Sequence, residues 1–236
     1  MIKADLHIHT NFSYDAISSP EEVVDTAILR GIGCIAITDH GEIKGAIKAM
    51  KYAFDKDILV LPGIEVLSNS GDVLGINVKK IIPNGLSIQE TIKEIRKQGG
   101  IAVVPHPFGK PLIGFWEGKE RLKLVDMDAV ETFNASLIFK SGNRKALDFS
   151  KENSVASTGG SDSHRALFVG RGYIEIASAV RSEKDLIGGI LEKKGRIGGR
   201  GLSWLELLKN GANSGIQDVV RYYRLKRRTI KKNGFN

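Results

Sequence analysis

Short apolar runs alternate with stretches of helical period along most of this chain, and no other feature restricts its fold as tightly. Residues 2–8, 34–38, 58–61, 64–67, 73–78, 101–104, 129–133, 155–158 and 173–176 are brief and apolar-rich, which predicts strands. The 58–61 and 64–67 runs read as one strand region broken at Pro62-Gly63, and 73–78 pairs back on it across Asn69-Ser70-Gly71. Helices fill the gaps. One starts with Ser19 as its cap and Pro20 as its first residue, carries Val23, Val24, Ala27 and Ile28 as an apolar stripe, and stops at Gly31. Others are expected over 42–54, 88–98, 143–152 and 183–193. Such alternation implies an α/β fold with mainly parallel pairing, most economically a barrel. Residues 1–200 read as one domain of this kind and 201–236 as a helical, basic appendage. The stretch 108–126 shows no clean period and reads as an irregular, lid-like loop, placed where a barrel grips its substrate.

Charge and cysteine content remove several function classes. The formal net charge of +8 is uneven: residues 216–236 hold seven Lys and Arg against Asp218 alone, a net of +6, which leaves +2 for the other 215 residues. A near-neutral body does not by itself indicate a nucleic-acid binder. Cys34 is the only cysteine, so an intrachain disulfide and a Cys-based zinc or iron–sulfur site are excluded. No 18-residue apolar run occurs, so no transmembrane segment is expected. The start has no long apolar stretch of the signal-peptide kind, and the expected setting is cytoplasmic.

The five histidines carry the functional signal, because each falls at the C-terminal end of a predicted strand, and all but His106 have a carboxylate close by in the sequence. In Asp5-Leu6-His7-Ile8-His9-Thr10 the two imidazoles are two residues apart, so a strand points both to the same side; Asp15 follows in the next loop. Asp39-His40 ends the second strand, and Glu65 lies in Pro62-Gly63-Ile64-Glu65. His106 sits in Pro105-His106-Pro107, and Asp162 and His164 are again two apart in Gly159-Gly160-Ser161-Asp162-Ser163-His164. Parallel barrels gather their strand ends on one face, where active sites lie. Imidazole and carboxylate without thiolate suit Zn, Mn or Fe, and a donor set larger than one ion can use implies a cluster. Gly159-Gly160 reads as room for a tight turn into this site; no G-x-G-x-x-G or G-x-x-x-x-G-K occurs, so a nucleotide fold of those types is not supported.

In order and spacing, DLHIHT, ITDH, PGIE, the His106 element and GSDSH resemble the motifs of the polymerase and histidinol phosphatase (PHP) metallo-hydrolase family, over residues 2 to about 176. The resemblance implies a distorted (β/α)7 barrel and a centre of two or three divalent metal ions. Matched motif by motif, it implies His7, His9, Asp15, His40, Glu65, His106, Asp162 and His164 as ligands, with Glu65 bridging. Several relatives have a histidine where this chain has Asp72. A carboxylate there still suits Mn or Fe, and a plain turn residue after Asn69-Ser70-Gly71 is the competing reading.

The chemistry expected of such a centre is hydrolysis of a phosphate ester by in-line attack of a hydroxide bridging the ions, with no protein nucleophile. Asp39 is expected either to orient a ligand histidine or to cap the helix before Glu42. Arg165 and Arg171 are the cations nearest the GSDSH loop and the expected phosphate contacts, ahead of Lys110 and Arg144. The expected substrate is a small phosphomonoester or a nucleotide. A nuclease trimming nucleic-acid ends with the basic tail, a histidinol-phosphate phosphatase and a non-catalytic metal-binding module are the rivals. In that tail Ile216, Val219, Val220 and Tyr223 fall at helical spacing, while Tyr222 and Tyr223 beside Arg221 and Arg224 offer stacking to nucleic acid. A helix docked on the barrel, or one binding an anionic membrane surface or a partner protein, fits the same pattern.

Overall fold

A computed structural model describes residues 1–109, 122–177 and 180–211. Nine strands form one sheet in the order β7-β6-β5-β4-β3-β2-β1-β8-β9. They are β1 (Ile2–Ile8), β2 (Cys34–Ile37), β3 (Leu59–Leu67), β4 (Asp72–Ile76), β5 (Ile101–Val104), β6 (Ala129–Asn134), β7 (Ala156–Gly160), β8 (Gly172–Ile176) and β9 (Gly195–Gly199). The helices are α1 (Pro20–Leu29), α2 (Lys44–Tyr52), α3 (Ile88–Lys97), α4 (Ser141–Glu152), α5 (Glu183–Leu191) and α6 (Trp204–Gly211).

β1 through β7 curl until the sheet nearly closes on itself. At the seam the end of β1 meets the chain leaving β7: Asp162 N–H donates to His7 O (2.8 Å), His9 N–H donates to Ser163 O (2.9 Å), and Ile8 bridges Ser163 in parallel. This is the expected α/β barrel of seven strands, distorted because β4 runs antiparallel to both β3 and β5. β8 joins the first half of β1 antiparallel and β9 extends it. Side chains of period two divide the core: Cys34 and Ala36 pack with Ala4, Leu6 and Leu61, whereas Ile35 and Ile37 pack with Val23, Val24 and Ala27 of α1 and Ala46 and Ala49 of α2.

Helix α1 starts where the sequence marks it. The Ser19 hydroxyl accepts from Glu22 N (3.2 Å), and Ser19 N donates to Glu22 Oε2 (2.7 Å), a complete capping box ahead of Pro20. Ser19→Ala is expected to cost about 1 kcal/mol in urea unfolding, and a change within experimental error would show that α1 is held by its buried face alone.

Three sequence readings are corrected. Pro62-Gly63 does not break a strand; β3 is continuous and changes partner there, pairing with β2 as far as Pro62 and with β4 from Gly63 onward. Proline, which has no N–H to give, sits at that changeover, and a Cβ on Gly63 would stand 2.8 Å from Ile37 O. Gly159 and Gly160 are the last residues of β7 rather than a turn, and the left-handed backbone comes later, at Asp162 with φ 51°. β9 was not foreseen, because Gly-Arg-Ile-Gly-Gly lacks a strand's composition; its glycines lie against β8, where a Cβ on Gly198 would meet the Tyr173 ring at 2.5 Å. Most of the expected 108–126 loop, with Lys110, and the expected basic helix after residue 211 lie outside the described residues. Among those described, no helix is long and apolar enough to cross a membrane.

Candidate metal centre

The barrel brings all five histidines together. His7 and His9 leave the end of β1 on one side, with their Nε2 atoms 3.2 Å apart and their side chains buried. His40 follows β2 and forms a parallel bridge with Glu65, so the end of β2 fixes the Glu65 backbone. Because β4 runs backwards, its first residue, Asp72, lies at the same end of the barrel as the last turn of β3. His106 follows β5, and Asp162 and His164 follow β7.

Three groups of donors share this space. In the first, His7 and His9 Nε2 lie 3.5 and 3.4 Å from Glu65 Oε2 and 3.5 and 3.4 Å from Asp162 Oδ1. The edge of a tetrahedron around an ion with bonds of about 2.0–2.1 Å is roughly 3.4 Å, so each of these imidazoles already stands at ligand spacing from both carboxylates. In the second, Asp15 Oδ2 lies 3.0 Å from His164 Nε2 and 3.4 Å from His40 Nε2. Their rings stack on His9 at centroid distances of 4.4 Å (His40) and 4.5 Å (His164). In the third, ligand atoms of Glu65, Asp72 and His106 lie within 4.8 Å of one another. Glu65 joins the groups: Oε2 faces His7, His9 and His40 Nδ1 (3.1 Å), and Oε1 faces His106 Nε2 (3.7 Å). The carboxylate at Asp72 is thus among the converging donors rather than in a remote turn.

Hydrogen bonds around the cluster set the tautomers that a cation needs. Ser13 Oγ donates to Asp39 Oδ1 (3.0 Å), so its lone pair is what faces His9 Nδ1 (3.2 Å), and that nitrogen carries the proton. His7 Nδ1–H donates to Glu131 Oε1 (3.1 Å), and His164 Nδ1–H donates to Asp162 O (3.1 Å). With Nδ1 engaged in this way, Nε2 is the ring atom each histidine turns inward, the one that would meet a cation. Asp15 Oδ1 is buried without a hydrogen bond, a cost that a bound cation would remove.

Charge tells the same story. Burial alone would raise the acids, yet His40 and His7 hold Glu65 well below the usual carboxylate range, and His7 and His9 do so for Asp162. Burial alone would lower His40, yet Glu65 and Asp15 push it up to about 10. His9 is pulled down to about 4 by burial and by His40 and His164. These carboxylates demand positive charge at the centre, and His9 is a neutral donor facing it.

The ligand loops are strained and firmly braced. Asp162 (φ 51°) and His106 (φ 29°) both have left-handed backbones that non-glycine residues disfavour. Asn134 Nδ2 donates to Asp162 Oδ2 (3.1 Å), Ser136 Oγ donates to Ser161 O (2.8 Å), and His106 N donates to Glu131 Oε2 (2.9 Å). Asn210 of α6 accepts from His164 N (2.9 Å) and donates to Asp162 O (3.0 Å) and Ser136 Oγ (2.8 Å), so the C-terminal helix buttresses the Asp162–His164 loop.

The remaining predicted residues fall as follows. Asp39 caps no helix, since α2 begins at Lys44; it accepts from Thr10 N (2.6 Å), Thr10 Oγ1 (2.7 Å) and Ser13 Oγ, and reaches His9 through Ser13. Arg165 is exposed, next to His164. Arg171 is turned to Glu206 of α6 (2.5 Å), a partner that competes with phosphate. Arg144 is exposed on α4. Glu131, Ser13, Asn134, Ser136 and Asn210 were missed. For Glu131 a signal existed: a lone acid within the otherwise apolar start of a buried strand needs a partner.

Glu131 accepts a hydrogen bond from His7 Nδ1–H on one oxygen, and from the His106 N–H and the Asn134 amide (3.0 Å) on the other. Glutamine offers one acceptor in place of two. Glu131→Gln is expected to weaken ion binding by about 10–100-fold, measured by competition with a chromophoric chelator; undiminished affinity would rule out this orienting role.

The family model described as the PHP domain matches residues 5–147, and the one described as PHP-associated matches residues 140–194. A protein of Methanocaldococcus jannaschii is 30% identical over 180 residues, 75% of this chain and 71% of that one. A 5'-3' exoribonuclease of Haemophilus influenzae is 29% identical over 105 residues, 43% of this chain and 38% of the enzyme, so the shared region is little more than a third of it. Among solved structures, a two-domain protein from Bacteroides vulgatus containing a predicted PHP-like metal-dependent phosphoesterase superposes with a TM-score of 0.73 at 20% identity, over 89% of this chain and 68% of that one.

Proposed function

Because the chain belongs to the PHP family of metal-dependent phosphoesterases, we propose that it hydrolyses small phosphomonoesters or nucleotides at a centre of two or three divalent ions. The observation that carries this reading is the convergence of five imidazoles and the carboxylates of Asp15, Glu65, Asp72 and Asp162 at ligand spacing. The donor set contains no thiolate, which favours Zn, Mn or Fe. Bound there, such ions supply an activated water near neutral pH and offset the charge of the phosphate. His7, His9, Glu65 and Asp162 would hold one ion, Asp15, His40 and His164 a second, and Glu65, Asp72 and His106 a third where three bind. Glu131 and Ser13 keep His7 and His9 in the tautomer with Nε2 inward. Asp39 pins the loop that carries Ser13 and Asp15. Arg165, exposed beside His164, is the cation best placed to meet a phosphate oxygen, whereas Arg171 is engaged by Glu206.

The test is metal analysis of protein purified without chelator, followed by a panel of mononucleotides, sugar phosphates, bisphosphates and short oligonucleotides with Mn, Zn and Mg. The expected result is more than one equivalent of transition metal and turnover of at least one ester class. Ion-loaded protein that cleaves none of them refutes the proposal. Similarity to the exoribonuclease favours a second reading, a nuclease acting on nucleic-acid ends with residues 216–236 as a basic arm. For that reading, removing the arm lowers oligonucleotide turnover and its salt dependence more than turnover of small esters. Equal losses on both point to a structural arm.

A further inference from the structure

The loop that supplies Asp162 and His164 is reached from α6 by a single amide, that of Asn210, 46 residues beyond His164. This side chain is buried, and its partners fix which way it is turned. Oδ1 faces the His164 N–H (2.9 Å) and so accepts; Nδ2 faces the Asp162 carbonyl (3.0 Å) and so donates. Nδ2 also donates to Ser136 Oγ (2.8 Å), whose own proton goes to Ser161 O. Asp162 O is in addition the acceptor for His164 Nδ1–H (3.1 Å), and the other nitrogen of that ring lies 3.0 Å from Asp15 Oδ2. One amide thus grips both the His164 backbone and the carbonyl that orients the His164 ring. Between them stands Asp162, whose left-handed backbone (φ 51°) needs support from outside the loop.

Polar contacts govern how α6 is turned. Glu206 and Asn210 are four residues apart and share a helix face; they meet Arg171 and the ligand loop. Trp204, Leu205 and Leu208 are instead 67%, 72% and 62% exposed. A helix placed for apolar burial would turn those three side chains inward.

We propose that Asn210 is a positioning residue for the ion held by Asp15, His40 and His164, which makes α6 a working part of the metal centre. It acts through Asp162 O and His164 N, keeping the His164 ring turned toward Asp15. The Asp162 carboxylate is braced separately by Asn134 (3.1 Å), so the ion at His7 and His9 depends less on α6. An amide is the group this place requires: a carboxylate keeps the bond to His164 N but sets an acceptor against Asp162 O, and alanine keeps neither bond. This inference rests on the reading of the cluster as an ion centre, and on nothing about the substrate.

Metal-free wild type, Asn210→Ala and Asn210→Asp are titrated with Co(II), followed by calorimetry and by visible absorption, which reports the coordination of each bound ion. His164→Ala marks the equivalent that this histidine holds. In both Asn210 variants that equivalent is expected to bind about 10–100-fold more weakly, with an altered spectrum, while the remaining ions bind as in the wild type. Asn210→Asp keeps the shape of the side chain and serves where alanine fails to fold. Urea unfolding with chelator runs beside the titrations. Lowered stability with an unchanged ion profile overturns the proposal, since Asn210 would then only steady the fold. So does a weakening of every ion by the same factor, or an Asn210→Asp protein that binds all its ions normally. A wild type that takes up no Co(II) refutes the ion centre and this inference together. Selective loss of the His164 ion in a protein that cleaves no phosphate ester upholds the positioning role and refutes only the hydrolase reading.

Discussion

Glu65→Gln is expected to abolish turnover while leaving the barrel folded, with kcat reduced at least about a thousandfold, equivalent to roughly 4 kcal/mol of lost transition-state stabilisation. The substitution preserves volume at a buried position, and the β3 backbone there is held by Glu65 N donating to Asp39 O (3.1 Å) and Gly41 N donating to Glu65 O (2.8 Å). What it removes is charge and one acceptor. The Glu65 oxygens face four imidazoles between them, those of His7, His9, His40 and His106. A glutamine must turn its NH2 either toward His106 or toward the other three, so at least one ion position loses a ligand and meets a donor in its place. Asp72 offers the comparison. It belongs to one donor group where Glu65 belongs to two, so Asp72→Asn is expected to lower metal content by at most one equivalent and to cost less activity. Steady-state kinetics with metal analysis of both variants decides the matter. A Glu65→Gln protein that keeps a tenth of wild-type kcat with a full complement of ions would contradict the bridging role.

How much of this could be read in advance depended on the kind of signal. The histidines were legible because an imidazole at the end of a buried strand is unusual and five of five repeated the pattern. α1 was legible because capping is local: Ser19, Pro20 and Glu22 lie within four residues. Asp72 required the topology, since only a reversed β4 brings the first residue of a strand to the face where the other strands end. Pro62-Gly63 was misread because local rules treat that pair as punctuation, whereas here the break is between partners, which the sequence does not name. Arg171 was singled out by proximity along the chain to Asp162 and His164, and its partner is supplied 35 residues later by Glu206. Glu131 and Asn210 escaped for a related reason. Each acts by orienting a group 124 or 46 residues away, and a polar residue's partner cannot be known until the fold brings the two together.

Gly160 shows the same dependence on tertiary contact, and it supports the largest expected effect on stability. It ends β7 at the barrel seam, where Asp162 N–H donates to His7 O. A Cβ there would stand 2.4 Å from His7 Cβ, 3.1 Å from His7 N and 2.7 Å from Glu131 Oε1. Two of these are set by the β1 backbone, so relief cannot come from a rotamer change; β1 and β7 must part. Gly172, on the other side, cannot yield either, since its own Cβ position is already filled by Gly160 O. Gly160→Ala is therefore expected to destabilise by about 2–4 kcal/mol, the upper range for overpacking. It should also weaken ion binding, because the displaced atoms are those of His7 and of the acid that orients it. Urea unfolding with chelator present isolates the packing effect from the stabilisation that bound ions confer. Gly188→Ala is the control: it lies within α5, nothing stands within 4 Å of its added methyl, and it should stabilise by about 0.4–1 kcal/mol through helix propensity and the unfolded chain. If Gly160→Ala unfolds within 0.5 kcal/mol of wild type and binds ions normally, the close seam between β1 and β7 is not what sets His7 in place.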